Sequence, residues 1–134
     1  MTKLTEIEGV GPVYSAKLQT AGITTVEALL EAGATPQGRK DLEEKTEIGH
    51  KLILEWVNLA DLMRVKGVGE EYADLLEEAG VDTVKELRNR NPENLYKALL
   101  AANEAKNLVR HVPGLEQVKA WIEQAKELPA KVTY

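Results

Sequence analysis

The chain has no cysteine and no phenylalanine, one serine and two histidines. Without cysteine there can be no disulfide, no thiolate metal ligand and no thiol nucleophile. The single serine, Ser15, falls within a helical stretch with no His–Asp arrangement around it. His50 and His111 are far apart in sequence, and neither has a ligand set nearby. No metal, no cofactor and no catalytic constellation is implied, and the expectation is a protein that is not an enzyme. Long apolar runs are also missing. No stretch approaches the 18 or so residues of a membrane-spanning helix, and residues 1–15 lack the apolar core of a secretory signal. These absences lead us to expect a cytoplasmic protein with no membrane partner. The lack of phenylalanine leaves the core to Leu, Ile, Val and Ala, with Trp56 and Trp121 as its large pieces.

The 134 residues, 43% hydrophobic and 29% charged, are enough for a folded domain that needs neither disulfide nor metal. The formal net charge is −5. Proteins that hold nucleic acid usually carry a basic footprint, and the chain as a whole has none. Residues 1–62 carry 6 basic and 10 acidic side chains, residues 63–134 carry 11 and 12, so any basic patch belongs to the second half.

An internal repeat organises the sequence. Ile7-Glu8-Gly9-Val10-Gly11-Pro12-Val13-Tyr14 recurs 58 residues later as Val65-Lys66-Gly67-Val68-Gly69-Glu70-Glu71-Tyr72. The register continues without a gap through Leu18 and Leu76, Gly22 and Gly80, Thr25 and Thr83, and Leu29 and Leu87. A looser echo pairs Thr35-Pro36 with Asn91-Pro92 and Trp56 with Trp121, the second unit being several residues longer there.

Helix signals fill both units, and no segment alternates as a strand. A helix opening at Pro12 or Val13 should end near Ala21, with Gly22 left-handed beyond it. Thr24 and Glu27 have the spacing of a capping box for the next helix, which Gly33 ends. Thr35-Pro36, a cap with proline at the first helical position, starts a third. From about Gly49 to Met63, Leu52, Trp56, Leu59 and Met63 form one apolar stripe. In the second unit Gly80, Thr83 with Glu86, and Asn91-Pro92 repeat the punctuation. A last helix over about 115–127 carries Val118, Trp121, Ile122 and Ala125 on one face, and Pro129 stops it. The fold class is therefore all-α, with units 1–62 and 63–134 packed together as one compact body.

The recurring element is an apolar residue, Gly, Val, Gly, then a helix. Its glycines, Gly9 and Gly11, Gly67 and Gly69, suit a tight turn because glycine tolerates positive φ and close backbone approach. Val10 and Val68 would plug the gap between the helices. On the assumption of strained backbone at Gly11 and Gly69, replacement of either by Val should cost roughly 1–3 kcal/mol. The second glycine of each pair exposes backbone N–H groups at a helix start, where unpaired donors and the helix dipole favour an anion.

These two segments resemble helix-hairpin-helix motifs, as found in DNA-repair enzymes, archaeal recombinases and the C-terminal domain of the RNA polymerase α subunit. The resemblance implies two tandem helix-hairpin-helix, sterile-alpha-like bundles. In that superfamily the hairpin backbone grips nucleic-acid phosphates without reading sequence. A wider resemblance, to a bacterial family of uncharacterised domains with two such hairpins, covers nearly the whole chain. It is carried by residues 52–62, Glu71-Tyr72-Ala73-Asp74-Leu75-Leu76, Gly80-Val81-Asp82-Thr83-Val84, Arg90-Asn91-Pro92, Trp121-Ile122 and the end of the chain.

The candidate phosphate-binding residues are Gly9, Val10, Gly11, Gly67, Val68 and Gly69. A candidate basic patch comprises Arg64, Lys66, Lys85, Arg88, Arg90, Lys106 and Arg110. Against phosphate binding, Glu70 and Glu71 stand at the start of the helix after the second hairpin, where carboxylates repel an anion and also serve as ordinary first-turn acids. Pro12 occupies the matching place in the first hairpin, with Lys3 and Lys17 set against Glu6 and Glu8 nearby. Asn58 and Asp61 are expected to hydrogen-bond across to the other unit. The sequence thus favours a non-catalytic binding module, an interaction or scaffold protein with a protein partner, as a monomer or weak dimer. Weak sequence-independent DNA or RNA backbone binding is the alternative.

Overall fold

In a computed structural model that describes residues 2–7 and 9–134, the chain is all-helical, and no strand occurs among the described residues. A 3₁₀ turn at Leu4–Glu6 precedes α1 (Pro12–Thr20), α2 (Val26–Ala32), α3 (Pro36–Thr46), α4 (His50–Leu62), α5 (Glu70–Glu78), α6 (Val84–Leu87), α7 (Pro92–Lys106) and α8 (Leu115–Glu127). None of these helices is long and apolar enough to cross a membrane. Two compact units emerge: Met1–Asp61 with Lys131–Tyr134, and Leu62–Ala130. The last four residues thus return to the first unit.

In the first unit α3 packs against α1 and α2. Leu18, Leu29 and Ile53 are wholly buried, with Trp56 at their side. The N-terminal segment is tied to the start of α2. Val26 N–H donates to Thr2 O at 2.9 Å, and the Glu27 carboxylate accepts from Thr2 N and Oγ1 at 3.0 and 2.9 Å. The cap of α2 is Thr25, whose hydroxyl accepts from Ala28 N at 3.0 Å, and not Thr24 as its spacing to Glu27 suggested. The reason is that Glu27 turns outward to Thr2, so no reciprocal box forms. The repeat pairs Thr25 with Thr83, and Thr83 caps α6 by accepting from Glu86 N.

Residues 131–134 are anchored by several contacts. Thr133 N–H donates to Ala34 O at 2.8 Å, Tyr134 Oη donates to Asn58 Oδ1 at 2.9 Å, and Val132 is buried. Asn58 thus bonds to a residue of the stretch 63–134, as expected, and that residue, Tyr134, groups with the first unit. Beneath this segment lies Arg39, only 3% exposed. Its guanidinium donates to Gly33 O at 2.9 Å and Thr133 O at 2.6 Å, and sits 5.6 Å from the Tyr134 ring centre. Buried arginine is rare without partners, and carbonyl oxygens supply them here.

In the second unit α7 packs on α5 and α8, and α6 packs on α8. Leu75, Leu76, Leu87, Leu95, Leu99 and Val118 are fully buried around Trp121. As expected from the composition, the core is aliphatic, with two tryptophans as its largest members. On α4 the predicted single stripe widens: every residue from Trp56 to Leu62 is buried, while Leu52 and Met63 at the stripe's ends are half-exposed.

Candidate functional site

The two glycine turns have matching geometry. In the first, Val10 N–H donates to Ile7 O at 3.1 Å; in the second, Val68 N–H donates to Val65 O at 3.0 Å. Gly9 and Gly67 have φ of 91° and 94°, a conformation that costs L-residues about 1–2 kcal/mol and glycine nothing. Val10 and Val68 are buried, each 4% exposed, and so plug their turns. Gly11 and Gly69 are the N-caps of α1 and α5, and their carbonyls accept the first helical bonds from Ser15 and Ala73 at 2.9 Å.

One expectation needs correction. Gly11 and Gly69 have φ of −89° and −94° in extended backbone, and a Cβ on either would meet nothing within 4 Å. The strain expected there is absent, so the estimated cost of Gly11→Val and Gly69→Val loses its basis. The positive φ belongs to the first glycine of each pair. There a tryptophan closes the space: a Cβ on Gly9 would stand 3.4 Å from Trp56 Nε1, and one on Gly67 3.3 Å from Trp121 Nε1. Tyr14 meets the Trp56 ring at 5.0 Å between centres, and Tyr72 meets Trp121 at 5.2 Å. Both tryptophans are buried, at 1% and 2% exposure, which removes them as stacking platforms for bases.

The second turn has a support that the sequence did not suggest. The Gln124 amide brackets Lys66: Oε1 accepts from Lys66 N at 2.9 Å, and Nε2 donates to Lys66 O at 3.2 Å. Gln124 stands three residues past Trp121, where Leu59 stands three past Trp56. The only available sequence signal was a polar residue one helical turn from a core tryptophan.

Gly67, Gly69, Glu70, Glu71, Arg110 and His111 line an open groove of about 390 Å³. Tyr72, which also lines it, donates from its hydroxyl to His111 O at 2.9 Å and holds the loop carrying Arg110 against α5. The groove therefore offers one arginine, facing two carboxylates at the first turn of α5. In the first turn Pro12 and Val13 are exposed; Glu8 lies outside the described residues.

The remaining basic candidates are dispersed. Arg88 and Arg90 line a separate depression. Lys106 pairs with Glu78 at 2.8 Å, and that hydrogen bond raises its pKa. Arg64 donates to Pro129 O at 2.7 Å. Lys66 and Lys85 project into solvent. Of the seven, the structure brings Arg110 to the glycines and Arg88 to Arg90; the other four line neither groove. His50 lies 3.2 Å from Glu43, and no group of three or more metal-ligating side chains occurs among the described residues.

Residues 8–128 match the model of a family described as a domain of unknown function (DUF4332). No solved structure matches the chain.

Proposed function

The chain belongs to that family, the domain of unknown function DUF4332, and we propose that it is a non-catalytic binding module built of two helix-hairpin-helix units in tandem, acting as an interaction or scaffold protein. The tandem reading is supported by the matched turns: the same φ at Gly9 and Gly67, the same caps at Gly11 and Gly69, and a tryptophan against each first glycine. The observation that carries the functional reading is the charge at the second hairpin. Glu70 and Glu71 open α5 where a gripped phosphate would need bare N–H groups, and Arg110 is the one arginine that lines the groove with them. Two carboxylates at a helix N-terminus use the dipole that a phosphate would otherwise use. The net charge of −5 also works against the approach of a polyanion.

A second reading, weak sequence-independent binding to a DNA or RNA backbone, keeps one point in its favour. Arg110 lines the same groove as Gly67 and Gly69, and the first hairpin carries no acid at Pro12. Fluorescence anisotropy with labelled duplex and single-stranded DNA at low salt separates the two. The scaffold reading expects flat anisotropy. Micromolar binding that weakens steeply with salt overturns it.

A further inference from the structure

We propose that the depression between the α6–α7 turn and α8 is a binding site for a small phosphate-bearing molecule. The site lies outside both glycine turns and does not depend on what they hold. Its lining brings Arg88 and Arg90 from the turn together with Lys119 and Lys126 from α8, against one carboxylate, Glu123. With Glu116 beside Lys119 and Glu86 beside Arg90 counted as well as Glu123, four cations still outnumber three acids, a local excess of positive charge in a chain of net charge −5. A cleft lined by one sign of charge focuses the field and concentrates the opposite ion.

The arrangement on α8 follows from helical spacing. Lys119 and Lys126 are seven residues apart, two turns along one face, so about 10 Å separates their α-carbons at 1.5 Å per residue. Ile122 lies between them on the same face, also lines the depression, and supplies an apolar floor. Arg88 closes the opposite wall. Its Nε is buried and has no acceptor. That nitrogen is turned away from the depression's open space, and the planar guanidinium that carries it is of the shape that matches phosphate oxygens two at a time.

The cations already have contacts, and these are weak ones. Lys119 lies 3.5 Å from Glu116, Lys126 lies 3.0 Å from Glu123, and Arg90 lies 3.7 Å from Glu86 while donating to Gly80 O at 3.3 Å. Exposed pairs of this kind contribute little and exchange readily for a doubly charged ligand. The volume, about 560 Å³, falls in the range of small-molecule sites. Its nine lining residues fall short of the surface of about 1,000 Å² or more that a specific nucleic-acid duplex covers. An extended acidic peptide would also have to pass Glu93 in the first turn of α7 and Glu116 and Glu127 on α8. A compact phosphate has only Glu116, the partner of Lys119, to displace among these three.

The test is a titration of the ¹⁵N-labelled full chain with inorganic pyrophosphate at low salt, followed by amide shifts. The expected result is saturable shifts at residues 88–92 and 119–126. The exposed double substitution Lys119→Glu with Lys126→Glu should weaken binding at least about tenfold, the ratio given by loss of one charge-assisted contact. Its circular dichroism should match the parent. Arg88→Lys, which keeps the charge and loses the planar fork, should weaken binding as well. Absence of saturable shifts up to about 10 mM overturns the proposal, since that limit lies beyond any useful affinity. So do shifts confined to the glycine turns, undiminished binding by the double variant, or binding of polyglutamate or duplex DNA at this depression in preference to pyrophosphate.

Discussion

Gly67 faces the indole of Trp121 across a gap that would be tight for a side chain: a Cβ on the glycine would stand 3.3 Å from Trp121 Nε1. The contact links the second glycine turn to α8, 54 residues further along the chain. Two independent constraints therefore meet at Gly67, a φ of 94° and the ring beside it.

Gly67→Ala and Gly9→Ala should each destabilise the fold by about 1–3 kcal/mol, chiefly through left-handed strain, with a tight neighbour adding to it at Gly67. Gly69→Ser and Gly11→Ser should behave in the opposite way. Both are N-caps in extended backbone with open space around them, and serine is at least as good an N-cap as glycine. Urea unfolding of the four variants checks the contrast. Equal loss at the first and second glycines would contradict this division of roles.

Gln124 supplies hydrogen bonds to both Lys66 peptide groups, so Gln124→Leu, similar in size and apolar, leaves that N–H and C=O to water. The expected cost is about 0.5–1.5 kcal/mol. Hydrogen exchange at the Lys66 amide should speed up by more than exchange at the Val10 amide of the first turn, which donates to Ile7 O. A uniform acceleration across the chain would indicate only global destabilisation.

Deleting residues 131–134 removes the acceptor of Arg39 Nη2, the donor to Asn58 Oδ1 and the buried Val132 side chain. A loss of about 2–4 kcal/mol is expected, because a guanidinium that is 3% exposed would lose one of its two carbonyl partners. Tyr134→Phe, which removes only the hydroxyl, should cost about 1 kcal/mol or less. A truncated chain with unchanged thermal stability would refute the anchoring role.

Much of this architecture is readable from the residues, and the boundary between what is readable and what is not has physical causes. Proline at a first helical position, Thr or Asn before it, and glycine after a helix are local backbone preferences, so Thr35-Pro36, Asn91-Pro92, Gly22 and Gly80 mark their elements correctly. The cap at Thr25 was missed because Thr24 has the same chemistry and the better spacing to Glu27; the choice was made by Thr2, 25 residues before Glu27. Which glycine of each pair takes positive φ is not written in a Gly-Val-Gly pattern, since either could. The buried Arg39, the Gln124 bracket and the return of Tyr134 to Asn58 join residues 58 to 94 positions apart. No local rule reports such pairings. The same limit applies to the basic side chains. Seven were grouped by sequence, while folding pairs Lys106 with Glu78 and adds Lys119 and Lys126, which the grouping lacked, to Arg88 and Arg90.

Glu27 gives a pH dependence with a definite sign. Its hydrogen bond from the Thr2 backbone N–H, supplemented by the Thr2 hydroxyl, holds its pKa below the ordinary 4.5. A carboxyl whose pKa is depressed on folding contributes stability above its unfolded pKa and loses it as the pH falls through the folded value. The contribution is therefore present at pH 7 and fades below pH 4.5. Because the group is exposed, its size is well under about 1 kcal/mol. Glu27→Gln should flatten the stability profile on the acid side and leave its slope above neutrality unchanged. A Glu27→Gln profile parallel to the parent down to pH 3, about one unit below the carboxylate range, would remove this residue from the acid response.

The decisive prediction for function concerns Glu70 and Glu71. If the second hairpin is kept from phosphate by these two carboxylates, then Glu70→Lys with Glu71→Lys converts repulsion into attraction beside Arg110. Any binding of the parent to DNA should be weak, with a dissociation constant of about 10⁻⁴ to 10⁻⁶ M at physiological salt, as for non-specific association in general. The double variant should bind more tightly and with a steeper salt dependence, because each phosphate neutralised by a new lysine releases close to one counterion. Arg110→Glu should abolish the gain in the variant and change little in the parent, as should Lys3→Glu at the first hairpin. The charge effect is limited in range, since screening confines it to about 8 Å at physiological ionic strength. The carboxylates at the first turn of α5 therefore matter far more than the remaining net charge of the chain. Low-salt anisotropy on the parent, the lysine pair and the lysine pair with Arg110→Glu reads out all three terms. A parent that already binds at micromolar or better, with no gain from the lysines, would show that the acids do not guard the hairpin, and the nucleic-acid reading would replace the scaffold.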